Sequence, residues 1–123
     1  MAQKPKASTL TTIIEPAPQI ASKGDCAGEL SKYDWDYSQA YAIMMLESGN
    51  YPQNIFDNPA TGDYSVGCFQ INLIGEMRNT RPSEEWLLDP ANNVQYAYQM
   101  YSEQGRSFCR TSGWYNSCKK AGL

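Results

Sequence analysis

The 123-residue chain contains no histidine. That absence removes Ser-His and Cys-His nucleophile pairs, histidine general bases and most catalytic zinc sites, so acid–base chemistry falls to carboxylates or tyrosine. A C-x-x-C pair is lacking too, which disfavours a structural zinc site; no metal or other cofactor is expected. No apolar run is long enough to cross a bilayer, and no membrane segment is expected in this chain. Ten Lys and Arg against thirteen Asp and Glu give a formal charge of -3. The basic face that displaces counterions from phosphates is missing, so nucleic acid is not an expected partner.

What the chain does hold is one compact domain's worth of residues. Residues 1–23 mix Pro5, Pro16 and Pro18 with Ser, Thr, Lys and Gln around a lone Ile13-Ile14 pair, which reads as a disordered linker or tail. They contain no apolar h-region, so no secretory signal is visible and export needs another explanation. The domain is expected over 24–123, as a monomer. Its four cysteines, Cys26, Cys68, Cys109 and Cys118, are an even number that favours disulfides. Three pairings are open: Cys109 with Cys118 would close a short local loop and leave Cys26 for Cys68, and four reduced core cysteines are the alternative. Disulfides would mean an oxidising compartment.

Asp25 is placed to cap a short helix over 26–33, and Asp36 to cap a second over 37–48. Tyr41-Ala42-Ile43-Met44-Met45-Leu46 in the second carries no charge, so this helix is expected to be buried on every side. It should stop at Gly49 and give way to a long loop rich in turn formers, Asp57 and Asp63 among them. Tyr64 to Asn72 alternates loosely and predicts a short strand or small hairpin. Ser83 starts a short helix through Trp86 and Leu87. Asp89 caps the clearest one, with Pro90 first and Val94, Ala97, Tyr98 and Tyr101 on one stripe up to Gly105. Residues 108–123 read as a loop-rich closure over Trp114 and Tyr115. The expected class is mainly α, a compact helical domain with a small β-hairpin or loop region beside the functional cleft.

Ala40, Ile43, Met44 and Glu47 share an i, i+3, i+4, i+7 stripe, so Glu47 points to the interior or a cleft. Desolvation and the helix C-terminus both disfavour its charged form, and a glutamic acid kept protonated near neutral pH is what general-acid catalysis uses. The plainer alternative is that Glu47 ends the helix in water or pairs with Arg78 or Arg81.

Three blocks of sequence add to this. Tyr33-Asp34-Trp35 followed by Ala42-Ile43-Met44 and Glu47-Ser48-Gly49-Asn50 resembles the opening helix of the soluble lytic transglycosylase and goose-type lysozyme superfamily. Gly62 to Asn72 is similar to that family's Gly-x-x-Ser-x-Gly-Leu-Met-Gln motif, with Cys68 and Phe69 in place of Leu-Met. Leu88-Asp89-Pro90-Ala91-Asn92-Asn93-Val94 is similar to its Asp-Pro-x-x-Asn-Ile helix.

The resemblance implies a lysozyme-like α+β fold in which Glu47, of the Glu47-Ser48 pair, protonates the β-1,4 glycosidic oxygen between N-acetylmuramic acid and N-acetylglucosamine. Peptidoglycan strands would be the partner, in an extracellular, periplasmic or wall-associated setting. Ser65 would hydrogen-bond the muramic acid, Gly67 would let glycan lie against backbone, Gln70 and the Phe69 backbone would line the groove, and Asn93 would organise the turn. A third-helix tyrosine near the acid is either Tyr98 or Tyr101, with core packing the alternative for both. Completion of the reaction is open. In a lytic transglycosylase the sugar's own 6-hydroxyl attacks; in a hydrolytic goose-type muramidase Asp57 or Asp63 would activate water, though both also suit turn capping. The Glu-Ser and Ser-x-Gly motifs look more like the transglycosylase branch. A non-catalytic wall-binding protein is the rival class.

Overall fold

A computed structural model describes residues 25–110 and 112–123. In chain order it holds α1 (Ala27–Leu30), α2 (Tyr37–Ser48), β1 (Ile55–Asn58), β2 (Asp63–Val66), β3 (Ile71–Asn72), α3 (Met77–Thr80), α4 (Glu84–Leu87), α5 (Pro90–Glu103) and α6 (Ser112–Lys120). The three strands form one antiparallel sheet in the order β1-β2-β3. Among the described residues, six helices beside a small sheet make this an α+β domain. The tail expected over 1–23 lies outside the described residues.

Capping follows the sequence. Asp36 Oδ1 accepts from Gln39 N at 3.0 Å, Ser83 Oγ from Trp86 N at 3.2 Å, and Asp89 Oδ1 from Ala91 N at 2.8 Å. Each satisfies an amide that the first helical turn leaves unpaired. Helix α2 stops at Gly49, whose φ of 68° is the left-handed conformation that glycine adopts without a Cβ penalty. Helix α1 is shorter than expected, four residues in place of a run over 26–33, although Asp25 Oδ1 does accept from Gly28 N at 2.7 Å.

The core draws on every element but β1 and α3: Leu30, Trp35, Ile43, Met44, Val66, Phe69, Ile71, Leu73, Leu87, Val94, Phe108 and Trp114 are all buried. Trp35 sits at its centre, its ring against Phe69, Tyr98, Tyr101 and Phe108 and its Nε1 donating to Leu30 O at 2.9 Å. Cys26 is bonded to Cys68 and Cys109 to Cys118, the arrangement that the short Cys109–Cys118 loop suggested. No helix among the described residues is long and apolar enough to span a membrane.

Three expectations need correction. Helix α2 is not buried on every side: Ala40, Ile43, Met44 and Ser48 are inside, while Tyr41, Met45 and Leu46 are exposed. A run without charges shows no period, so it marks a helix without marking which face has a partner. The long loop after Gly49 is interrupted by β1, so that Asp57 is a strand residue and only residues 59–62 make the turn. Residues 112–120, read as loop, are helix α6, with Trp114, Ser117 and Cys118 at i, i+3, i+4 as its buried stripe.

Candidate active site

Glu47 lies one residue before the end of α2, on the stripe that α2 turns toward α6. It is partly buried, and its Oε2 accepts a 2.6 Å hydrogen bond from Ser117 Oγ of α6. Burial pushes the Glu47 carboxyl above the ordinary glutamate range, against the Ser117 hydroxyl and the Lys120 ammonium, which both favour the charged form. Neither Arg78 nor Arg81 pairs with it. Arg78 stacks over the Tyr64 ring, and Arg81 Nη1 donates to Asn72 O at 2.7 Å.

Ser48, the other half of the Glu-Ser pair, is buried and structural. Its hydroxyl donates to Met44 O at 3.3 Å, and its own carbonyl accepts from Asn54 Nδ2 at 3.2 Å. Asn54 O in turn accepts from Gly67 N at 2.7 Å and from Gln70 Nε2 at 3.0 Å. One residue therefore ties the end of the Glu47 helix to the turn between β2 and β3.

That turn is held from its other side by Asn93. Fully buried, Asn93 accepts from Phe69 N at 2.8 Å through Oδ1 and donates from Nδ2 to Val66 O and Leu87 O, both at 2.9 Å. Asn93 thus holds the turn through its side-chain amide. Gly67 and Phe69 are engaged in the same turn. Gly67 is buried, with φ of 79°, and a Cβ there would stand 2.3 Å from Asn93 Nδ2 and 2.7 Å from Leu87 O. Its missing side chain makes room for Asn93 and Leu87. The Phe69 backbone is likewise spent internally, its N–H on Asn93 and its carbonyl accepting from Trp114 Nε1 at 2.9 Å, while its ring is core. Gln70, at φ of 50°, folds its amide back onto Gly67 O and Asn54 O; it secures the turn.

Ser65 is different. It is partly buried in β2, opposite Phe56 of β1 and Asn72 of β3, so these three side chains share one face of the sheet. Among the described residues its hydroxyl has no hydrogen-bond partner. Asp57 and Tyr64 oppose each other one residue along and therefore look to the other face. Asp63 shares the Ser65 face, but both its oxygens are engaged, by Asn72 Nδ2 at 3.1 Å and Thr61 Oγ1 at 2.9 Å. Asp57 is exposed.

The two third-helix tyrosines join the aromatic cluster. Tyr101 is buried against Trp35 and Phe108; Tyr98 stacks on Tyr33, and its hydroxyl donates to Asp34 Oδ1. The polar partner of Glu47 is Ser117, a residue that the sequence reading missed because it lay in the stretch taken for loop. Its signal was the i, i+3, i+4 spacing of Trp114, Ser117 and Cys118 ahead of Lys119-Lys120, which suit a helix C-terminus. No protein-family model, curated protein or solved structure matches the chain.

Proposed function

We propose that this domain cleaves the β-1,4 bond between N-acetylmuramic acid and N-acetylglucosamine in peptidoglycan, with Glu47 as general acid, in the manner of a lysozyme-like lytic transglycosylase. The observation that carries the reading is the environment of Glu47. A carboxyl lodged between α2 and α6, at the negative end of a helix dipole and raised above the ordinary glutamate range by burial, is shifted toward the protonated form that a general acid needs. Donation to the glycosidic oxygen lets the leaving sugar depart as positive charge spreads over the muramic acid ring. The resulting Glu47 carboxylate then accepts the proton of the muramic acid 6-hydroxyl as that oxygen closes on C1, giving an anhydro product. Acid and base are the same residue in turn.

The arrangement of the sheet favours this route over water activation. A hydrolase needs a second carboxylate beside the sugar that Ser65 would bind. Asp57 is on the opposite face from Ser65, and Asp63 has both oxygens in the hairpin's own hydrogen bonds. Ser65, whose hydroxyl has no partner among the described residues, is the substrate-binding residue in this reading, and the protein acts as a monomer on glycan strands. The two disulfides suit an oxidising setting, and the site of action is extracellular, periplasmic or wall-associated.

Digestion of purified peptidoglycan by the protein and by Glu47→Gln tests the reading. The protein should clear a suspension while the variant does not, and muropeptides lighter than hydrolysis products by one water should accumulate. Clearing of equal rate by both proteins, or none by either, overturns the assignment. Products of unchanged mass would make it a hydrolase.

A further inference from the structure

The contact between Glu47 and Ser117 joins two helices, and its geometry fixes more than the fold. Ser117 is itself buried, and its hydroxyl reaches Glu47 Oε2 at 2.6 Å, toward the short end of the range for O–H···O hydrogen bonds. Among the described residues only Oε2 is engaged in this way, which leaves Oε1 as the atom to carry the proton. Ser117 sits beside Cys118, whose bond to Cys109 fixes the rotation of α6 at the level of the serine. Lys120 follows one turn on.

From this geometry we infer that Ser117 is a positioning residue for the acid: its hydroxyl holds the Glu47 carboxyl in one orientation and stabilises the carboxylate left once the proton has gone. The inference rests on the reading of Glu47 as general acid. A hydroxyl donating to Oε2 stabilises the carboxylate that remains after proton transfer, while leaving the proton on the other oxygen. The desolvation that raises the acid is thereby held in check, since a carboxyl buried without such a donor would release its proton more reluctantly.

Few other charges bear on Glu47 from the elements packed against α2. On α6, Lys119 is turned over the Tyr115 ring, leaving Lys120 as the cation that favours the Glu47 carboxylate. On α1, Glu29 is paired with Lys32 at 2.6 Å and Asp25 receives Gly28 N. Lys120 and Ser117 are thus the two groups whose removal should move the titration, and Lys119 is the matched control.

The experiment is a carbon-13 NMR titration of the Glu47 carboxyl in the intact protein and in Ser117→Ala, Ser117→Thr, Lys120→Gln and Lys119→Gln, alongside pH–rate profiles on peptidoglycan. Ser117→Ala should raise the pH at which Glu47 titrates, move the alkaline limb of the profile the same way, and lower the rate about tenfold, the equivalent of one lost hydrogen bond to a charged group. Ser117→Thr, which keeps a hydroxyl, should restore both. Lys120→Gln should move the titration upward with a smaller loss of rate, and Lys119→Gln should leave both in place. A Glu47 titration that is the same with and without the Ser117 hydroxyl overturns the inference, as does a rate loss in Ser117→Ala with the alkaline limb unmoved. If the titration shifts as stated while neither protein cleaves peptidoglycan, it is the glycan-cleaving assignment that falls, and the control of Glu47 by Ser117 stands. Should Ser117→Ala not fold, Ser117→Cys, whose thiol is a much weaker donor, against Ser117→Thr decides by the same readings.

Discussion

Asn93 Nδ2 occupies the space that a side chain on Gly67 would need: a Cβ built there falls 2.3 Å from it. The two residues, 26 positions apart in sequence, lock α5 to the turn that follows β2. Gly67→Ala must both displace the amide and hold a positive φ, so it should cost more than about 2 kcal/mol. Asn93→Ala leaves Phe69 N, Val66 O and Leu87 O without their buried partner and should cost about 3 kcal/mol or more. Urea unfolding checks both, with midpoints falling at unchanged slope. A midpoint for Gly67→Ala equal to that of the parent would mean the turn has room that the geometry denies it.

The buried position of Glu47 carries a stability signature with a definite sign. Its carboxyl is raised in the folded state by desolvation, so the folded protein binds the proton more tightly than the unfolded chain. The stability it contributes is therefore complete below the unfolded glutamate value and is lost as pH rises through the folded one. Glu47→Gln, which removes the titration, should melt at or above the parent temperature at neutral pH, and the gap should close on acidification. Thermal melts between mildly acidic and neutral pH test this. The same variant should lose at least about a hundredfold in peptidoglycan cleavage, so that stability and activity move in opposite directions.

Asp57 and Asp63 should separate cleanly. Asp57→Asn, altering an exposed strand residue on the face away from Ser65, should change the cleavage rate by less than about twofold, where loss of a general base costs about a hundredfold or more. Asp63→Ala removes the acceptor for Asn72 Nδ2 and Thr61 Oγ1 and should lower stability by about 1–2 kcal/mol. Rates measured beside melting curves distinguish the two roles; a hundredfold rate loss in Asp57→Asn would restore the water-activating mechanism.

The two disulfides differ in the span they close, 42 residues for Cys26–Cys68 and 9 for Cys109–Cys118. On chain entropy alone, removing the first should cost roughly 4 kcal/mol and the second roughly 2.5 kcal/mol. Paired alanine replacements, Cys26/Cys68 and Cys109/Cys118, should reproduce that order in denaturant midpoints, and peptide mapping without reduction should recover the same two cross-links.

How far the sequence disclosed this can be judged residue by residue. Helices beginning at Asp36, Ser83 and Asp89 were legible because capping is a local rule, enforced by amides within three residues of the cap. The inward stripe of Ala40, Ile43, Met44 and Glu47 was legible from spacing alone. Strand β1 was not, because Ile55-Phe56-Asp57-Asn58 has no burial alternation of its own; all four are exposed or only partly covered, and it is a strand because β2 pairs with it. Gly67 and Phe69 were read as places where a ligand meets backbone, whereas their partners, Asn93 and Trp114, come from 26 and 45 residues downstream. Ser117 stayed hidden for the same reason: nothing local says which helix a serine will face.

The bond between Cys26 and Cys68 closes α1, α2, β1 and β2 into a single covalent ring. A protease cutting the exposed hairpin tip at Pro59 to Gly62 opens that ring without freeing a fragment, since both new ends stay attached through the cystine. Nicked protein should co-migrate with intact protein until a thiol is added and only then split in two. Under the proposed function, such a topology means that a first cut does not detach the segment bearing Glu47.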